Sequence, residues 1–385
     1  MAGLMASGMT GIVLAQTPVV SHDDSFSKEG LFKADVSTLK DTQLVLHPDV
    51  PLVPDKNVLW CGTMQLAWNK AIDLVGEKLH FTTPSPEADL LNRKDFTDAD
   101  LDPASYVALA DFERNNVEDE IRAALEKTFQ GAASPELIPE KPASPGPDDF
   151  AAYAYLYKNL VFAYPFKEAP REAFESQTVT AFGFGPDDKE LSSAVFQQVT
   201  ICDYNSENDF VINLKIKSTN DELILAKISP GSTLQSTINR VLDRVENSSP
   251  VNVDRNLDYL WIPKINFDLR RDATELEGLR LQPGSNTHIK SGLTLARIRQ
   301  LVRFQLNENG AILKSEAIVL AELGSSGDPE PVTHPHILIF DRPFLILMKQ
   351  NPQSYLKPWT WGTSRKPYFA LWVGNASLLV PATNP

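Results

Sequence analysis

The residues best spaced for chemistry are His334 and His336, two positions apart beside Pro335. Two imidazoles at that spacing on an extended chain face the same way and would supply part of a metal site. The competing reading is a plain loop, and no metal is assigned. Cys61 and Cys202 lack the close spacing of a structural zinc site and are too few for a disulfide framework. They form at most one bridge, and two buried free thiols are the stronger expectation. Gly183-Phe184-Gly185-Pro186 has two glycines, no third, and a proline where a phosphate nest needs an N–H. It reads as a turn, and Asp23-Asp24 and Asp187-Asp188 read as solvated turn residues. There is no nucleophile elbow, nucleotide loop or zinc-protease helix motif. No catalytic residue and no cofactor are assigned, and a catalytic enzyme is the weakest of the functional readings.

Charge narrows the partners. A net charge of -14 disfavours nucleic acid and anionic membrane surfaces, which require clustered Lys and Arg. No apolar run is long enough for a membrane-spanning helix. The 385 residues, 42% hydrophobic, suffice for a sizeable core. Residues 1–15 are weakly apolar without Lys or Arg, and Val13-Leu14-Ala15 before Gln16 suits a signal-peptidase site. A secreted or periplasmic location follows if that signal operates, and a cytoplasmic one otherwise. Asn247-Ser248-Ser249 and Asn375-Ala376-Ser377 match glycosylation acceptors, a frequent chance pattern.

Residues 1–50 carry little periodicity and read as an N-terminal arm. After it, residues 57–60 read as a buried strand and Thr63 as the cap of a helix. Met64, Ala67, Trp68, Ala71, Ile72 and Val75 form that helix's apolar stripe. A second helix follows Asn116 as its cap, with Val117, Ile121, Leu125 and Phe129 on one face. Residues 131–149, rich in Pro, Gly and Ala, form a long loop. "AYAYLYKNLVFAYPF" is a candidate central strand, and "DFVINLKIKS" and "DELILAKISPG" pair as a hairpin. "STLQSTINRVLDRVEN" is a helix. "YLWIPKINFDLRRDATELEGL" gives a strand with Ile265, Phe267 and Leu269 on one face, then a short helix. "HILIFDRPFLILMKQ" and "PYFALWVGNASLLVP" close the chain with strands. Helices gathered early and strands late make an α+β class.

"FQLNENGAILKSEAIVLAELG" is the most informative stretch. Val302, Phe304 and Leu306 alternate into a turn at Asn307-Glu308-Asn309-Gly310, and the alternation then resumes. Ala311, Leu313, Ser315, Ala317, Val319 and Ala321 form one small, uncharged face, and Ile312, Lys314, Glu316, Ile318, Leu320 and Glu322 the other. The segment is a hairpin arm or a strand that is not always in place.

Taken in order, these segments resemble the serpins, a family of protease inhibitors and non-inhibitory relatives. "NVLWCGTMQLAWNKAIDLVG", "YLYKNLVFAYPF", "YLWIPKINFDLRRDATELEGL", "FQLNENGAI", "FDRPFLILM" and "VGNASLLVP" correspond to successive family segments over about residues 55 to 381. The last third is the most specific. The resemblance implies one serpin-like domain over residues 51–385, probed by proteases at a reactive loop spanning 311–336. It implies a hinge at Glu308, Asn309, Gly310, Ala311, Ile312 and Leu313, and a scissile region at Leu323, Gly324 and Ser325. Cleavage there would insert the loop as an extra strand and trap an endopeptidase. Gate positions beneath the insertion point fall on Cys61, Met64, Ala154 and Gln300, with Phe162 at the top of the sheet.

Several residues depart from that pattern. The family's hinge is a run of small residues, whereas Ile312, Leu313 and Lys314 are bulky. The family's gate is a hydrogen-bonded cluster of serines, asparagine and histidine, none of which stands at the matching positions. No Lys or Arg occurs between Glu316 and Asp341, so a target protease would not be trypsin-like. Two readings stay open: an endopeptidase inhibitor working by loop cleavage and insertion, and a non-inhibitory binding or structural protein with 311–322 fixed in the sheet. The expected partner is a protease or another protein, not nucleic acid or a membrane interior, and the expected state is a monomer.

Overall fold

Period-two alternation in the sequence becomes three sheets in the computed structural model. It describes residues 31–382 apart from 132, 141–142, 219, 283, 285–288, 290–291, 316–334 and 352–365. The six-stranded sheet runs in spatial order β1 (Phe32–Asp35), β13 (Ile265–Asp272), β14 (Arg299–Asn307), β15 (Gly310–Ser315), β5 (Phe150–Val161) and β4 (Tyr106–Phe112). The eight-stranded sheet runs β11 (Val251–Asn252), β8 (Val199–Ser206), β9 (Asp209–Leu214), β10 (Asp221–Lys227), β17 (Phe344–Gln350), β18 (Pro367–Val373), β3 (Asn57–Cys61) and β2 (Thr42–Val45). A four-stranded sheet comprises β16 (Ile337–Ile339), β12 (Tyr259–Pro263), β7 (Gln177–Phe184) and β6 (Lys167–Phe174). Among the described residues the α-helices are α1 (Thr63–Val75), α2 (Pro86–Leu91), α3 (Val117–Phe129), α4 (Ser193–Phe196) and α5 (Leu234–Glu246). The fold is α+β.

Each face of the six-stranded sheet has its own partner. Phe267, Leu269, Phe304, Leu306, Leu156 and Leu160 face the main core shared with the eight-stranded sheet, and Phe304 stacks on Phe369 of β18 at 4.6 Å between ring centroids. The opposite face carries Tyr153, Tyr155 and Tyr157, covered by Val117, Ile121, Leu125 and Phe129 of α3. β17 and β18 are buried at every residue, which explains their near-continuous apolar sequence. Helix α1 packs against β4 and β5, and α5 against β8 and β9.

Three local expectations change. Within the arm expected at 1–50, β1 adds in parallel to β13 and β2 in parallel to β3. These four-residue edge strands are recruited by pairing with a neighbour, and so short a strand leaves little alternation to read. Residues 1–30, including the candidate signal, lie outside the described residues. Thr63 is the first residue of α1, whose cap is Gly62. After β13 the chain makes turns instead of the expected short helix. Helices α1, α2 and α3 lie in the first half of the chain, in keeping with the expected α+β class, while strands run from residue 32 onward.

Asn57 ties three distant segments together. Its Nδ2 donates to Thr42 Oγ1 at 3.2 Å, Asn375 Oδ1 at 3.0 Å and Ser377 Oγ at 2.8 Å. Its Oδ1 accepts from the N–H groups of Gly374 at 2.9 Å and Asn375 at 3.1 Å. The Asn375 amide is also committed, donating to the Asp41 and Asp55 carbonyls. Asn57→Ala would orphan buried donors and should cost about 3 kcal/mol in urea unfolding, given ~1–3 kcal/mol per unsatisfied buried group. Phe344 is fully buried in β17, and Phe344→Ala should cost about 3–5 kcal/mol by the same measurement. A loss under about 1 kcal/mol at Phe344 would mean that β17 tolerates a cavity without a close-packed core.

Candidate functional site

The chain after the Asn307–Gly310 turn is an interior strand. β15 runs antiparallel to β14, with Leu306 opposite Ala311 and Phe304 opposite Leu313. Its other edge runs antiparallel to β5, from Gly310 opposite Val161 to Ser315 opposite Leu156. Ala311 and Leu313 are fully buried in the main core, while Ile312 is half-buried against the α3 cluster. Residues 316–334, including the candidate scissile residues Leu323, Gly324 and Ser325, lie outside the described residues.

The turn entering β15 is fixed from several sides. The Asn309 N–H donates to Asn307 Oδ1 at 3.0 Å. The Asn309 carbonyl accepts from the Phe162 N–H, and the Glu308 carbonyl from the Phe166 N–H, both at 2.9 Å. The Glu308 carboxylate lies 2.7 Å from Lys264 Nζ, which also pairs with Glu168 at 2.7 Å. Gly310 has φ +147°, and a β-carbon there would sit 2.3 Å from the Leu160 carbonyl oxygen. Only glycine lets the turn approach β5 this closely.

Cys61, Ala154 and Phe162, at expected gate positions, all lie in or against the main core. Gln300 Nε2 donates to the Cys61 carbonyl at 3.1 Å and to Thr63 Oγ1 at 3.0 Å, joining β14 to the end of β3 and the start of α1. Met64 belongs to a different cluster, with Trp68, Ile72 and Leu276. Ala154 lies in β5 opposite Ala108. Phe162, eight positions along from Ala154, is roughly 27 Å away by strand rise. It is buried, edge-on to Phe166 at 5.0 Å and near Phe182 at 6.3 Å. Cys61 and Cys202 are both buried and neither forms a disulfide, and burial pushes the Cys202 thiol up to about 11. His336 is bonded through Nδ1 to the Asp258 carboxylate at 3.2 Å, and His334 lies outside the described residues.

Pattern reading missed a buried charged group next to β15. Lys158, cross-strand from Leu313 on β5, places Nζ 2.8 and 3.0 Å from the two carboxylate oxygens of Asp221 on β10. Tyr368 of β18 donates its hydroxyl to Asp221 Oδ1 at 3.1 Å. All three are buried. Burial pushes the Asp221 carboxyl above the usual carboxylate range, while the Lys158 charge and the Tyr368 hydroxyl pull it down. Tyr368 is held well above its ordinary value by burial and by the Asp221 charge. The signal was legible in principle: Lys158 is a lone charge in the apolar run "YAYLYKNLVF".

No family model matches the sequence, and no curated protein matches it. Solved structures do. Human thyroxine-binding globulin complexed with thyroxine aligns at 13% identity and a TM-score of 0.47, over 84% of this chain and 93% of that one. Serpin48, a highly specific serpin of the insect Tenebrio molitor, aligns at 12% identity and 0.39, over 82% and 96%. A serpin from Schistosoma mansoni aligns at 12% and 0.37, over 68% and 64%. The chain is similar to serpins of known structure.

Gly310→Ala should lower stability by about 2–3 kcal/mol, the scale of a strained backbone position, with the loss read by denaturant melts. A change below about 0.5 kcal/mol would mean that the turn can move away from β5 at little cost.

Proposed function

We propose that this chain is a serpin-type protein in which Gly310–Ser315 is a permanent interior strand, serving as a binding or structural scaffold and not as a suicide inhibitor. One observation carries the reading: β15 is already hydrogen-bonded along both edges, between β14 and β5. A trapping inhibitor keeps this segment outside the sheet and draws its driving force from inserting it. Here insertion of the first six positions has no free energy left to release. Bulky Ile312 supports the same reading, since it is half-buried under α3 and not a small, fast-moving hinge residue. The Gln300 tie to Cys61 and Thr63 adds a directional bond across the region where a gate would part.

The alternative is an endopeptidase inhibitor acting by reactive-loop cleavage and insertion. A chymotrypsin- or elastase-like protease cutting within residues 323–333, followed by denaturing gels and a thermal melt, separates the two. The fixed strand gives cleavage with no covalent high-mass band and a melting shift below about 5 °C, the scale of a 1–2 kcal/mol change. A rise of tens of degrees with a covalent band would establish the inhibitor. Trypsin should leave the stretch between Glu316 and Asp341 intact, since it holds no Lys or Arg; a trypsin-stable covalent complex through this loop would refute that assignment.

A further inference from the structure

The width of the six-stranded sheet is set from below. Neighbouring strands lie about 4.8 Å apart, so β15 holds β14 and β5 roughly 9.6 Å from each other. If β15 left, β5 would have to move by one spacing, about 4.8 Å, to pair with β14 and satisfy the exposed backbone groups. Most contacts beneath β5 are apolar and allow sliding, because dispersion and hydrophobic burial are not directional. Lys158 is the exception. Its ammonium reaches from β5 into the eight-stranded sheet and meets both oxygens of Asp221 at 2.8 and 3.0 Å, with Tyr368 donating to the same carboxylate. Lys158 and Asp221 are each 5% exposed at the side chain. A closing movement of β5 would separate two charges in the interior, where no solvent replaces the lost partner.

We propose that the Lys158–Asp221–Tyr368 group is a pin that fixes β5 at the spacing β15 requires, so that the sheet cannot close behind a departing strand. The six-stranded arrangement is then the only well-paired one, and the segment after Gly310 is retained. Leu313 strengthens the coupling, since it is the cross-strand partner of Lys158 and fully buried on the same side. This inference rests on the fixed-strand reading and names the residues that enforce it.

The test is amide hydrogen exchange on the full chain, comparing β15 with β17 as an internal control. In K158M/D221L/Y368F the polar group is replaced by apolar side chains of similar volume, so no charge is orphaned. The pin predicts at least about tenfold faster exchange in β15 with β17 unchanged, the mark of local opening. Equal protection of β15 in the wild type and the triple variant would overturn the pin while leaving the fixed strand intact. Unprotected β15 amides in the wild type would instead overturn the fixed strand itself. Should the triple variant fail to fold, Y368F keeps both charges and removes one hydrogen bond. It should speed β15 exchange about threefold, equivalent to part of one hydrogen bond, and an unchanged rate there would overturn the pin.

Discussion

A strand in the middle of a sheet presents two rows of backbone donors and acceptors, and each row needs a partner when water is excluded. In this protein both rows of Gly310–Ser315 are taken, one by β14 and the other by β5. Much else follows from that double pairing. The turn at Asn307–Gly310 must bring the chain back tightly enough to begin pairing at once, which requires a glycine at φ +147° against the Leu160 carbonyl. Alternate side chains must then suit two different surroundings. Ala311 and Leu313 meet the core between the large sheets, while Ile312 meets the helical layer formed by α3.

Apolar contacts supply most of the burial, but polar side chains fix the relative positions of the layers. Phe304 on Phe369 gives area without register, whereas Gln300 bonded to Cys61 and Thr63 specifies one alignment of β14 over β3. Asn57 does the same for the closing segment, joining residues 42, 375 and 377. Lys158 and Asp221 do it for β5, across the interface of the two large sheets. Such groups are costly to bury and add little net stability when paired, yet each is strongly unfavourable when displaced. Their effect is to make intermediate positions of the sheets poor.

The proposed fixed strand is the opposite of a spring-loaded arrangement, in which an interior position stands vacant. Of the residues at the expected gate positions, Cys61, Ala154 and Phe162 lie in or against the main core. Met64 faces a separate apolar group, Ala154 offers no polar atom, and Gln300 reaches toward the chain leading into α1. Replacing several partners of a buried network together leaves few orphaned groups, so a fold can tolerate apolar residues at such positions.

Much of this was legible in the sequence, where side-chain periodicity alone carries the information. The hairpin around Gly310, the buried β17 and β18, the stripe of α3 and the alternation that puts Ala311 and Leu313 on one side follow from repeating apolar spacing, which the chain fixes locally. The edge strands β1 and β2 did not, because four residues without alternation become strands only when a neighbour offers its edge. The turns after β13 also escaped, since short helix-like sequences are decided by packing. The polar ties were out of reach for a deeper reason. Lys158 was visible as an odd charge in an apolar run, but its partners stand 63 and 210 positions away. Sequence by itself determined which residues alternate and where the chain turns. Only the tertiary structure decided that the strand after Gly310 lies inside the sheet, because that depends on the gap between β14 and β5, and a gap belongs to no single segment.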